Sequence, residues 1–168
     1  ELITHNKDKN VLMLMRIDKL IEKNFIPIYP EMSFGEMLKK SVSKSKRNIF
    51  PVIDDSNQFL GVVLLDDIRP MMFDREQYET TFVSDFMKSA PEIIFYDDNT
   101  ASVMQKFKES GAWNLPVVKD EKYLGFISIG LVGLTFDLRT VGFEIVVFDV
   151  VIFLYKSVLM YIKLNNFW

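Results

Sequence analysis

Three pairs of adjacent aspartates are the residues in this sequence whose chemistry best suits a metal ion. They are Asp54-Asp55, Asp66-Asp67 and Asp97-Asp98, and carboxylate oxygens are the ligands that Mg²⁺ prefers. All three pairs also fall at predicted turns or helix starts, where aspartate is common because it bonds to its own backbone. A cation site and a structural role therefore both stay open, and we assign no metal ligand.

Catalytic chemistry has little support in the sequence. The chain has no cysteine, which excludes disulfides, thiolate metal sites and cysteine nucleophiles. Its one histidine, His5, lies in a polar run, where a solvated loop is the simpler interpretation. Nothing pairs a nucleophile with a base. We expect that the chain is not an enzyme.

Charge also limits the partners. The chain has 20 basic and 23 acidic side chains, a formal net charge of −3, whereas nucleic-acid binding normally needs a clustered basic excess. We therefore expect no nucleic-acid partner. Lys39-Lys40 and the run Lys44–Arg47 are interpreted as a solvated helix end, with contact to phosphate or anionic lipid as the alternative.

Two copies of one pattern fill most of the chain. The longest matched blocks are Asn48–Ile53 with Trp113–Val118, and Phe59–Leu64 with Tyr123–Ser128; upstream, Ile28-Tyr29 matches Phe95-Tyr96, Ser33 matches Thr100 and Met37 matches Met104. The separation falls from 67 residues at the tyrosines to 65 at Pro51/Pro116 and 64 at Gly61/Gly125. Deletions thus fall between the blocks, as loops vary between copies of one fold.

The pattern of each copy predicts a strand, a helix, two strands joined by a hairpin turn, and a second helix. The first strands, Phe25–Tyr29 and Glu92–Tyr96, are short apolar runs ended by turn residues. Ser33 and Glu36 form a capping-box pattern, and Asn99 or Thr100 can cap the equivalent helix. Apolar residues at helical spacing follow both caps: Phe34, Met37, Leu38 and Val42, then Val103, Met104 and Phe107.

The repeats divide the chain into five parts. Residues 1–23 are predicted as an amphipathic connecting helix whose apolar stripe should cover the sheet of a repeat, and 24–72 as the first repeat. Residues 73–88 are a linker, 89–128 the second repeat, with an extension beyond 128 left open, and 129–168 an atypical hydrophobic tail. Without an initiator Met or a signal peptide, the chain is expected to be part of a larger protein.

Charges at Glu144, Asp149 and Lys156 disfavour a membrane span in the tail. Extra strands, a partner-binding helix or a non-native segment stay open, and we favour the last.

The repeated blocks resemble the cystathionine-β-synthase (CBS) domain over residues 24–128. That family has an apolar-x-Pro strand followed by a Gly-led strand that runs into a helix. The resemblance implies an α/β fold in which two β-α-β-β-α repeats pack by pseudo-twofold symmetry into one Bateman module. The whole sequence is similar to the cytoplasmic C-terminal region of bacterial voltage-gated chloride channel (ClC) proteins, through 4–9, 46–52, 64–69 and 111–118.

The chloride-channel resemblance implies a regulatory and dimerisation module of a channel or chloride/proton exchanger. It would lie on the cytoplasmic face of the inner membrane, attached to the transmembrane channel domain of the same polypeptide, as a homodimer. The alternatives are the CBS-pair sensor of a Mg²⁺ transporter, which the acidic pairs would suit, and a regulatory insert of a soluble enzyme.

The CBS resemblance also implies two nucleotide sites, each with half of the family motif Gly-apolar-apolar-Ser/Thr-x-x-Asp. The first copy keeps Asp67 but has Leu64 at the hydroxyl position, and the second keeps Ser128 but has Leu131 at the carboxylate position. Asp67 is the candidate ribose ligand, with a base pocket of Ile93, Ile94, Asn114 and Leu115. The weaker candidate site is Ser128 with Ile28, Asn48, Ile49 and Phe50.

Simpler interpretations of these residues exist. Asp67 can act as a carboxylate that stabilises a helix start, and Trp113 is more often a core aromatic than a base-stacking one. No cofactor is expected to be required, and ATP, ADP or AMP is the possible regulatory ligand.

Overall fold

The structure of the chain is a computed structural model that describes residues 17–132. The predictions for His5, for the start of the amphipathic helix and for the tail beyond residue 132 lie outside the described residues.

The described residues contain α-helices, strands and short 3₁₀ turns. The helices are α1 (Phe34–Lys40), α2 (Leu65–Ile68), α3 (Gln77–Thr80), α4 (Val83–Phe86) and α5 (Thr100–Ser110). The strands are β1 (Ile49–Ile53), β2 (Phe59–Leu64), β3 (Ile94–Phe95), β4 (Asn114–Lys119) and β5 (Lys122–Ser128). Short 3₁₀ turns cover Ile17–Leu20, Val42–Lys44 and Arg69–Phe73, and residues 129–132 are helical.

The strands form two sheets of the same design. β1 pairs antiparallel with β2, and β4 pairs antiparallel with β5. Each hairpin has a register shift at the same place, after Val52 and after Val117. The upstream segment of each copy runs parallel to the first hairpin strand, through Ile28 beside Val52 and Ile94 beside Val117. The predicted α/β fold with two equivalent repeats is confirmed, although the first strands are shorter than predicted.

The structure corrects the alignment of the upstream halves by one residue. Ile28 and Ile94 hold the same sheet position and both have no exposed surface, whereas Phe95 is 57% exposed. Ile28 therefore corresponds to Ile94, a separation of 66 residues, and not to Phe95. A slip of one residue in a strand turns every side chain to the opposite face, so burial decides the register.

The helix caps show the same correction. The Ser33 hydroxyl accepts the Glu36 N–H at 3.3 Å, and the Asn99 side-chain oxygen accepts the Ser102 N–H at 2.9 Å. Asn99 is thus the second cap, again 66 residues on, and Thr100 is a buried residue of α5. The reciprocal half of the capping box at Glu36 is absent, because its carboxylate pairs with Lys40 instead.

Each repeat completes its hydrophobic core with residues that precede the other repeat. Ile17 and Leu20 pack with the second-repeat sheet, and Val83 of the predicted linker packs with the first repeat. The first core comprises Ile28, Phe34, Met37, Phe50, Val52, Val63, Ile68 and Val83. The second comprises Ile17, Leu20, Ile94, Val103, Phe107, Leu115, Val117, Ile127, Leu131 and Val132. The linker is therefore part of the packed fold, and residues 131 and 132 belong to the second core, in the extension beyond 128 that the prediction left open.

Two backbone crossings join the repeats. The N–H groups and carbonyls of Val62 and Lys88 exchange hydrogen bonds at 2.8 and 2.9 Å, and those of Glu22 and Phe126 do so at 2.8 and 3.0 Å. Beside each crossing lies a glycine. A Cβ on Gly61 would stand 2.6 Å from the Lys88 carbonyl oxygen, and one on Gly125 would stand 2.5 Å from that of Glu22. The glycine of each repeat is therefore required by the close approach of the other repeat's leading segment.

No helix within residues 17–132 is long and apolar enough to cross a bilayer.

We expect Gly61→Ala to destabilise the fold by about 1–3 kcal/mol, because the added methyl group overpacks a rigid backbone contact. Urea unfolding measures this loss, and hydrogen exchange at the Val62 and Lys88 amides should accelerate. Gly111→Ala is the matched control. Gly111 has φ +63° but open space around its Cα, so the change costs about 1–2 kcal/mol of backbone strain and leaves those two amides protected. Normal protection at Val62 and Lys88 in Gly61→Ala would contradict the role of the crossing.

Candidate functional site

The two repeats meet across an aromatic cluster. Phe25, Val62 and Phe126 form its buried part, and Phe59 and Tyr123 pack against it. The Phe59 and Tyr123 rings, which hold equivalent positions in the two repeats, stack with centroids 6.0 Å apart. The repeats thus face each other around a local twofold axis, and equivalent residues lie on opposite sides of it. We call these two sides the Asp67 site and the Ser128 site.

At the Asp67 site a carboxylate of the first repeat meets the segment that leads into the second. Asp67 is the third residue of α2, and its Oδ1 lies 3.0 Å from Nζ of Lys88, with side-chain exposures of 34% and 63%. Asp66 pairs instead with Arg69, at 2.7 Å. Only the second aspartate of the pair therefore contacts a residue at the crossing between the repeats.

The predicted base-pocket residues divide by burial. Ile93 and Asn114 are half-buried, but Ile94 and Leu115 have no exposed surface and belong to the second-repeat core. The side chains of Ile94 and Leu115 therefore reach no open surface, and the place of these two residues in a base pocket stays a prediction. Both residues lie in paired strands of the second-repeat sheet, and both side chains pack in the core on one face of that sheet.

Lys106 holds the segment that carries Ile93. Its ammonium donates to the Ile93 carbonyl at 2.7 Å and to Asp98 at 2.5 Å, and lies 4.7 Å from the Phe95 ring centroid. Both members of the Lys106–Asp98 pair are only 17% exposed. This half-buried pair holds the backbone at Ile93, five residues beyond Lys88.

The Ser128 site lacks the corresponding carboxylate. The Ser128 hydroxyl accepts the Leu131 N–H at 3.3 Å, so it caps the following helical turn. Leu131, at the position equivalent to Asp67, is 8% exposed and packs in the second core. Among the predicted partners of Ser128, Ile28 and Phe50 are fully buried in the first core, Ile49 is half-buried, and Asn48 is exposed. Their role around a ligand stays a prediction.

An arginine and a glutamate occupy the first-repeat edge of the Ser128 site. Arg47 pairs with Glu22, donates to the Asn24 side-chain oxygen at 2.9 Å and lies 4.7 Å from the Phe25 ring centroid. Interpreting the whole basic run as a solvated helix end is therefore wrong for Arg47, whose side chain is 31% exposed and has three partners.

Sequence reasoning missed the importance of Lys88 and Glu22. Each of them pairs through its backbone with a strand of the other repeat, and they lie 66 positions apart. Neither belongs to a recognisable motif. Gly61 and Gly125 are the available signal, since a glycine in a strand marks a close backbone approach. They do not reveal which residue approaches.

The acidic pairs have structural partners. Asp54 accepts the Gln58 N–H at 2.8 Å within the hairpin, and Asp98 accepts the Phe95 N–H at 2.8 Å. Within the described part of the chain, no three His, Asp or Glu side chains are grouped so as to hold a metal ion. Trp113 is 78% exposed, so its assignment to a core is wrong.

A buried phenol lies in the interface. The Tyr123 hydroxyl has no hydrogen-bond partner among the described residues, and burial raises the pKa of this phenol above its usual range. Because the ring packs between Phe59 and Phe126, Tyr123 contributes to the interface through its apolar surface, and its hydroxyl is a desolvated polar group.

The fold and the interface define a pair of α/β repeats joined by a local twofold axis. The sequence profile of the CBS domain matches residues 17–73 and 83–130. The chain therefore belongs to the CBS domain family, as a tandem pair. Comparison with curated protein sequences gives no match.

Solved structures share this fold. A CBS domain protein from Streptococcus pneumoniae TIGR4 superposes with a TM-score of 0.67 at 17% identity, over 85% of this chain and 100% of that one. CbpB in complex with c-di-AMP gives 0.61 at 17%, over 77% and 89%. The CBS domain of a bacterial CNNM/CorC family Mg²⁺ transporter in complex with ATP gives 0.61 at 13%, over 74% and 88%. At these identities the likeness shows the fold alone.

We expect Tyr123→Phe to leave the chain as stable as the parent or to stabilise it by up to about 1–3 kcal/mol, because the change removes an unsatisfied buried hydroxyl and keeps the ring. Urea unfolding measures the difference. Tyr78→Phe is the control: the Tyr78 hydroxyl donates to the Met72 carbonyl at 2.6 Å, so its loss should cost about 0.5–1.5 kcal/mol. A loss of stability at Tyr123 as large as that at Tyr78 would contradict this account.

Proposed function

We propose that this CBS pair is a regulatory module that binds an adenine nucleotide at the Asp67 site and acts by binding, with no catalysis. The observation that carries the proposal is the Asp67 carboxylate, which is partly exposed and contacts the crossing segment between the repeats. A carboxylate accepts two hydrogen bonds at once, and the two hydroxyls of a ribose supply two donors. Asp67 is thus suited to hold a nucleoside between the repeats.

The mechanism is a shift between arrangements of the two repeats. A ligand changes such an equilibrium only by the difference in its affinity for the two arrangements. Asp67 belongs to the first repeat, whereas Lys88 and Ile93 lead into the second. A ligand that bridges these elements would favour one relative position of the repeats, and an attached domain would sense the change.

Two of the similar structures support an adenine ligand. The CbpB structure contains c-di-AMP, and the structure of the CNNM/CorC CBS domain contains ATP. Both ligands contain adenosine. We propose the same class of ligand here, with ATP, ADP and AMP as the nucleotides to test.

The finer context that we propose is a chloride channel or chloride/proton exchanger, with the module on the cytoplasmic face of the inner membrane and paired as a homodimer. The sequence resemblance to that family supports it. Sequencing the gene upstream of residue 1 tests it, since ten or more apolar segments of about 20 residues are expected there. An upstream soluble enzyme would contradict it.

A Mg²⁺ transporter is the second candidate context, favoured by the likeness to the CNNM/CorC domain. The two candidates differ in their response to the cation alone. A melting shift with Mg²⁺ in the absence of nucleotide favours the Mg²⁺ sensor, whereas a shift that requires nucleotide favours the nucleotide-binding module.

We expect Asp67→Asn to weaken adenine nucleotide binding at least about tenfold, because hydrogen bonds to a charged acceptor are the stronger ones. Isothermal titration calorimetry measures the affinity. The unliganded melting temperature should hardly change, since exposed ion pairs contribute about 0–1 kcal/mol.

Asp66→Asn is the matched control for Asp67→Asn, with the same chemical change one residue away on a side chain that pairs with Arg69. It should bind as the parent does. Equal binding by the parent and Asp67→Asn would rule out Asp67 as the ribose ligand, and no binding by the parent at millimolar nucleotide would overturn the proposed function.

A further inference from the structure

Glu22 and Lys88 hold equivalent backbone positions with opposite charges. Each exchanges two hydrogen bonds with the second hairpin strand of the other repeat, Glu22 with Phe126 and Lys88 with Val62. The local twofold axis thus carries one residue onto the place of the other. The fold is symmetric here and the electrostatics is not.

Each charge is balanced differently. Lys88 pairs with Asp67 across an exposed contact at 3.0 Å, and its side chain is 63% exposed. Glu22 is 18% exposed and pairs with Arg47, which also contacts Asn24 and the Phe25 ring. The lysine is therefore free to turn toward another anion, whereas the glutamate and arginine are held among several partners.

We propose that this charge inversion restricts the module to one nucleotide per chain, and that Lys88 selects for the phosphate; the proposal rests on the proposed function. When the ribose hydroxyls bind Asp67, the Lys88 ammonium is released and binds the 5′-phosphate one sugar ring away. Charge-assisted hydrogen bonds to phosphate are among the strong ones in proteins. The ligand class is accordingly a 5′-phosphorylated adenine nucleoside.

The Ser128 site excludes the same ligand for two reasons. Its crossing residue is a carboxylate, which is an acceptor only and donates no hydrogen bond to a phosphate, and the arginine that pairs with that carboxylate already has three partners. The position equivalent to Asp67 is the buried Leu131, so the ribose has no acceptor there. A nucleotide at this site would lose both of the contacts that it gains at the other.

The experiment is calorimetry of the full chain with AMP and with adenosine, which lacks the phosphate. The parent chain should bind one AMP per chain. Lys88→Met should weaken AMP binding at least about tenfold, but should leave adenosine binding equal or tighter, because Asp67 no longer has a competing cation. A merely structural role of Lys88 would change both affinities in the same direction.

Lys40→Met is the matched control, since it removes the same charge from a lysine that pairs with Glu36 on α1. It should bind both ligands as the parent does. Two AMP per chain, or an equal change in AMP and adenosine affinity with Lys88→Met, overturns the inference and leaves the proposed function in place. Failure of the parent chain to bind either ligand overturns both.

Discussion

The fold depends on two backbone crossings, in which the segment that leads into one repeat pairs with a hairpin strand of the other. Four hydrogen bonds, between Val62 and Lys88 and between Glu22 and Phe126, join the crossings. They form only because Gly61 and Gly125 leave room for a carbonyl oxygen. The same leading segments deliver Ile17, Leu20 and Val83 to the core of the repeat that they cross. Neither repeat thus has a complete core of its own, and the pair is the folding unit.

The crossings also explain why a symmetric fold can carry an asymmetric site. Backbone pairing needs no particular side chain, so positions 22 and 88 are free to differ while the fold stays the same. They carry a carboxylate and an ammonium, and each is neutralised by a different neighbour, Arg47 or Asp67. Asymmetry at two exposed or half-exposed positions leaves the packed cores unchanged, because neither charge lies within them.

Much of the fold could be predicted from the sequence, because the repeated blocks contain residues that the backbone itself constrains. The proline and glycine of each hairpin, and the caps at Ser33 and Asn99, are such residues. The upstream halves are less constrained: Ile28-Tyr29 matches Phe95-Tyr96 well by residue type, and only burial reveals that Ile94 is the equivalent of Ile28. The family motif predicts Asp67 as a candidate ligand. No motif predicts Lys88, since its place depends on a contact between segments that the sequence does not link.

The two repeats carry different halves of the family motif because the residue at one equivalent position is exposed in the first repeat and buried in the second. In the first repeat this position is Asp67, whose carboxylate lies at the surface, and in the second it is Leu131, which is 8% exposed beside Ile17 and Leu20. A carboxylate could not occupy the second place without being buried in an apolar cluster, which would cost several kcal/mol unless it were paired or protonated. The leading segment that covers the second core therefore favours an apolar residue there. Leu131 therefore closes the second core, and the proposed ligand site is confined to the side of the fold that carries Asp67.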